Sequence, residues 1–160
     1  MGYDIYIQTP DGKDAEGDGT YFGFAWTAMP RTLDTMNNFG MLVDLPFPTF
    51  PKLSEYGLKR EDFLPGAASD TATTDRVAAY RTAYLAAKDA SEPEPKGIPA
   101  YKLQFNDGFL VTVAEITAAL ASYEAQTIVE IAEMPVGDQT WPSWMDFLRR
   151  AKALGGLRTY

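Results

Sequence analysis

The stretch from Ile98 to Tyr123, IPAYKLQFNDGFLVTVAEITAALASY, decides the fold class. Asn106-Asp107-Gly108 stands between YKLQF and FLVTV, where a hairpin turn needs residues that tolerate positive φ, so two paired strands are expected there. Thr112 followed by Glu115 forms a capping box: the hydroxyl serves an orphan helix N–H while the carboxylate reaches back to the cap amide. A helix therefore begins near Val113 and buries Ile116, Ala119, Leu120 and Tyr123. Strand chemistry that gives way to a capped helix points to an α+β chain.

Upstream, Tyr3, Ile5 and Ile7 alternate with Asp4, Tyr6 and Gln8, the period of a half-buried first strand. YFGFAW, Tyr21 to Trp26, reads as strand-like or as a buried approach to the next helix. Met29, Leu33 and Met36 fall on one helical face, with Pro30 fitting a first turn and Gly40 a C-cap, which predicts a helix from Pro30 to Phe39. Repeated Pro from Met41 to Thr73 blocks regular structure and marks an irregular excursion. Thr74 or Asp75 then caps a helix whose stripe is Val77, Tyr80, Tyr84 and Ala87. QTIVEIAEM continues the helix that starts at Val113 or forms a second short one. Trp141, Trp144, Met145, Leu148 and Ala151 make a last helical face, ended by Gly155-Gly156 before LRTY as a terminal strand. The expected architecture is a single α+β domain over 1–160, with a small, mostly antiparallel sheet packed with three to four helices. Its first and last strands are expected to pair.

Composition narrows the chemistry. The 160 residues hold no His and no Cys, which removes imidazole and thiolate catalysis and the usual zinc ligands. A formal charge of -8 repels phosphate backbones and anionic lipid surfaces, so neither nucleic acid nor membrane is an expected partner. The basic residues Arg149, Arg150, Lys152 and Arg158 suit a helix C-terminal dipole better than DNA. The opening MGYDIYIQTPDG has no basic or long apolar region of a secretory signal, and cytoplasmic residence is expected.

Four landmarks, MGYDIYI, YFGFAWTAM, GIPAYKLQFNDGFLVT and WPSWMDFLRRA before Gly-Gly, together resemble a group of uncharacterised small proteins of actinobacteria and their bacteriophages. That resemblance leaves out 41–73. It implies a cytoplasmic, phage-encoded accessory protein and carries over no catalytic residue.

Among candidate sites, Asp14, Glu16 and Asp18 with Gly19 match the opening of an EF-hand calcium loop, while Ala25 stands where a bidentate Glu should close it. A solvated acidic loop is the plainer reading: no cofactor is expected, with calcium as the alternative. Pro48-x-x-Pro51 fits a stiff loop that lays Phe47 and Phe50 on the core better than a polyproline ligand. Asp4, Asp34 and Glu115 have no spacing that brings them together as acid and base; Asp4 is expected to bond backbone or Arg158. No catalytic residue is assigned. Aromatics gather at both ends, and Tyr6, Trp26, Trp141 and Trp144 are the candidate contacts for a protein partner or a second copy. The leading expectation is a non-enzymatic interaction protein. A small-ligand or divalent-metal (calcium or magnesium) binder, and a virion or assembly component, are the alternatives.

Overall fold

The computed structural model describes residues 2–67, 70–133 and 140–160. The fold is α+β. Its strands are β1 (Gly2–Ile7), β2 (Tyr21–Ala25), β3 (Leu42–Val43), β4 (Ile98–Pro99), β5 (Leu110–Val111) and β6 (Leu157–Thr159). Its helices are α1 (Ala28–Asn38), α2 (Thr71–Asp89), α3 (Tyr101–Gln104), α4 (Val113–Glu124), α5 (Ile128–Glu133) and α6 (Trp141–Ala153). The chain divides into two compact units, one of Met1–Pro46 with Ser91–Tyr160 and one of Phe47–Ala90. The irregular excursion foreseen at 41–73 is therefore split: Met41–Pro46 belongs to the first unit, and the remainder joins α2 in the second.

In the first unit, a four-stranded antiparallel sheet runs in the order β2-β1-β6-β5. The first and last strands pair as expected, Ile7 opposite Leu157 and Ile5 opposite Thr159. Because side chains alternate along a strand, one register assigns every residue to a face. Ile5, Ile7, Phe24, Val111 and Leu157 take the inner face and are buried. Against them pack Met29, Leu33 and Met36 of α1, Ile116 and Leu120 of α4, and Trp144, Phe147 and Leu148 of α6. Burying an apolar side chain of this size contributes about 1.5–3 kcal/mol, so this layer dominates the unit's stability.

The cap signals explain where helices begin and end. At the end of α1, Gly40 has φ 68°, its N–H donates to Asn37 O at 2.9 Å, and the Met41 N–H donates to Met36 O at 2.9 Å, a Schellman closure that only a residue free of the Cβ penalty accepts readily. At α4 the expected box is present: Glu115 N–H donates to Thr112 Oγ1 at 3.3 Å, and Thr112 N–H donates to Glu115 Oε2 at 2.8 Å. QTIVEIAEM forms the separate helix α5, with Thr127 N–H donating to Glu130 Oε2 at 2.7 Å; Met134 lies outside the described residues.

The hairpin expected around Asn106-Asp107-Gly108 does not form. Gly108 has the positive φ foreseen, 70°, but the turn joins α3 to β5, and β5 pairs with β6. The physical reason is burial. Tyr101, Lys102 and Leu103 are all buried in succession, which one turn of helix wedged into the unit permits and a one-faced strand does not. Ile98–Pro99 pairs instead with Leu42–Val43 in a parallel bridge.

In the second unit, the start foreseen for α2 at Thr74 or Asp75 moves upstream. Asp70 caps it, accepting from Thr73 N–H at 2.7 Å. Val77, Tyr80, Tyr84 and Ala87 form the half-buried stripe foreseen. Tyr80 meets Phe63 and Tyr56 edge-on, each at 5.6 Å between centroids, and Tyr84 meets Phe50 at 4.8 Å. Proline-rich sequence thus folds by laying aromatic rings along one helix face.

A candidate interaction face on the open side of the sheet

The register that sends Ile5 and Ile7 inward sends Asp4 and Tyr6 to the other side of β1. Tyr6 stands opposite Tyr21 on β2 and Arg158 on β6, and Leu110 of β5 stands opposite Arg158, so these four side chains make one row across the sheet. In the next row Gly23 lies opposite Asp4, and Asp4 exchanges backbone hydrogen bonds with Tyr160 at 2.9 and 2.7 Å. Every residue of these rows is exposed or half-buried.

Three tyrosines therefore meet on the side of the sheet away from the helices. Tyr6 lies 5.2 Å from Tyr21 and 6.1 Å from Tyr160 between ring centroids, the separations of tilted and edge-on pairs. The Tyr21 hydroxyl donates to Asp4 Oδ1 at 2.7 Å. That bond, with lesser help from desolvation and the Asp4 charge, pushes the Tyr21 phenol above its usual range. Arg158 donates from Nη1 to Gly108 O at 2.7 Å. The Asp4 carboxylate thus meets a phenol, where backbone or Arg158 was expected.

The candidate aromatics separate into two groups. Tyr6 belongs to the open face, and Trp26, 67% exposed, follows the end of β2. Trp141 and Trp144 are corrected: both are buried in α6, and Trp144, with 0% exposure, stacks on Phe147 and donates its indole N–H to Met36 Sδ at 3.3 Å. The spacing that placed them on one helical face is the spacing that sends them into the core. Tyr21 and Tyr160 join the site; the signal for Tyr21 is its alternation with Phe22 and Phe24, once β2 is paired with β1.

The acidic loop folds back along the end of β1. Gln8 and Asp14 form an antiparallel bridge, Gln8 Nε2 donates to Asp14 Oδ1 at 2.6 Å, and Ala15 N–H donates to Ile7 O at 2.8 Å. Glu16 and Asp18 are exposed beyond it. Among the described residues no group of three or more Asp or Glu gathers to hold a metal ion. Asp4 and Glu115 are likewise apart in role: the Glu115 carboxylate is fully buried and accepts from Lys102 Nζ at 2.8 and 3.1 Å. Lys102, which the strand reading passed over, also donates to Leu110 O at 2.8 Å. A buried cation with two kinds of acceptor ties α3, β5 and α4 together, and no periodicity in the sequence announces it.

No protein-family model matches this chain, and neither a curated protein nor a solved structure is significantly similar to it. Among the described residues no helix is long and apolar enough to cross a membrane.

Proposed function

We propose that this chain is a non-enzymatic interaction protein of the cytoplasm that docks a basic protein partner on the open face of its sheet. The observation that carries this reading is the exposed cluster of Tyr6, Tyr21 and Tyr160 on the face opposite the helices. Tyrosine supplies large contact area with few rotatable bonds and a hydroxyl for the wet rim, which is why it is enriched where proteins bind one another. Charge supports the choice of partner. The chain carries -8 overall, and Asp14, Glu16 and Asp18 stand in the loop between β1 and β2, where Lys13 pairs with Asp11, so a basic surface is steered toward this end of the sheet.

The resemblance to small actinobacterial and phage proteins directs the search for that partner to such hosts. Tagged wild-type protein and a Tyr6→Ser/Tyr21→Ser variant are to be compared by capture from actinobacterial lysate with mass spectrometry, alongside light scattering. A stoichiometric basic partner that the variant loses, at an unchanged Tm, supports the reading. Retention of that partner by the variant, or a clean monomer with no partner at near-physiological salt, overturns it.

A further inference from the structure

Away from the sheet face, the segment SEPEPKG (Ser91 to Gly97) leads into the parallel bridge between β3 and β4 and leaves a cavity of about 220 Å³ beside it. Val43, Leu45, Pro95 and Pro99 supply apolar walls. Gly97 allows the close approach that shapes it, since a Cβ there would stand 2.6 Å from Met41 O and 3.4 Å from Val43 Cγ1. The polar lining is Glu92, Glu94 and Lys96, all exposed, with the buried Glu115 behind them. Drug-sized ligands occupy about 300–1,000 Å³, so this space suits a smaller molecule.

Glu115 has no charge to spare for a ligand. Its oxygens accept from Lys102 Nζ at 2.8 and 3.1 Å and from Thr112 N–H at 2.8 Å. Two acidic residues, Glu92 and Glu94, and one basic residue, Lys96, line this apolar hollow in a chain of charge -8. Nearby, the Tyr101 phenol is pushed up, by burial first and then by the charges of Glu115 and Glu92. With two carboxylates against one ammonium at the rim, an anionic ligand is disfavoured here and a cationic one favoured.

We propose that this cavity binds a small alkylammonium group, the aliphatic body against Val43, Leu45 and Pro99 and the charged head between Glu92 and Glu94. The group comes either from a free amine or from a lysine side chain, and the site does not depend on the tyrosine face.

The test is a titration of the ¹⁵N-labelled full chain with n-butylammonium chloride, read at the Val43, Leu45 and Gly97 amides. Butyrate and n-butanol at matched ionic strength serve as controls, and Nα-acetyl-lysine N-methylamide serves as the peptide form. Saturable shifts with butylammonium that weaken about 3- to 10-fold in Glu92→Gln/Glu94→Gln, as expected when exposed charge pairs are lost, support the proposal. Lys96→Gln is expected to tighten binding by about 2-fold. Tighter binding of the lysine amide than of butylammonium identifies a lysine side chain as the source, and the reverse order a free amine. An equal response to n-butanol, or no saturable shift with either amine, overturns the proposal. Both rim residues are exposed, so an unchanged Tm will show that the double variant is folded.

Discussion

A side-chain carbon at Gly23 would stand 2.7 Å from the Tyr21 hydroxyl, so the phenol lies over the one residue of β2 that has no side chain. From there its hydroxyl reaches Asp4, the residue opposite Gly23 on β1. Gly23→Ala is therefore expected to lift Tyr21 off the sheet, break the bond to Asp4 and weaken partner docking, while Tm changes little because the inner face is untouched. The phenol resonance of Tyr21 reports the move. In the wild type its proton leaves later than the ordinary value of 10.0. A raised folded value means that the interaction contributes to stability below that ordinary value and is lost as pH rises through the folded one. In Gly23→Ala and in Asp4→Ala the resonance should titrate in the ordinary range; a late titration retained in both would show that Asp4 is not its cause.

Lys102 and Glu115 have no exposed side-chain surface and neutralise each other. Lys102→Met leaves Glu115 buried without a counterion and is expected to cost about 3–5 kcal/mol in urea unfolding. Lys102→Met/Glu115→Gln should recover more than half of that loss, since the Gln carbonyl can still accept from Thr112 N–H. Equal stability of the single and double variants would mean that the stranded charge is not what destabilises the single one.

The tryptophans are expected to part company. Trp144→Ala empties the space between Phe22, Phe24 and Phe147 and should cost about 3–5 kcal/mol. Trp26→Ala, at an exposed site, should stay within about 0.5 kcal/mol of wild type. Urea midpoints at a fixed slope decide this, and similar losses for the two would contradict the assignment of Trp144 to the core and Trp26 to the surface.

Asp70 caps α2, and its carboxyl is held below the ordinary 3.8 by the Thr73 hydroxyl and then the Thr73 amide. Because the folded value is lowered, its contribution is present above the unfolded value and disappears as pH falls through the folded one. Asp70→Ala should therefore reduce helicity at 222 nm near pH 6 and match wild type near pH 2. A gap that persists at the acid end would assign the loss to something other than the ionised cap.

The sequence by itself determined what depends on neighbours along the chain. Period-2 alternation placed β1, 3.6-residue spacing placed the buried faces of α1, α4 and α6, and Thr112 with Glu115 placed the start of α4, because caps and periodicities act over a few residues. Tertiary structure decided what depends on distant partners. YKLQF became a turn of helix rather than a strand, since Lys102 could be buried only by meeting Glu115 and Leu110 O. Trp144 was taken from the surface by the aromatic layer of β2 and α6. The tyrosine face exists only once β1 lies between β2 and β6, because Tyr6, Tyr21 and Tyr160 are brought together by strand register, which no local pattern encodes.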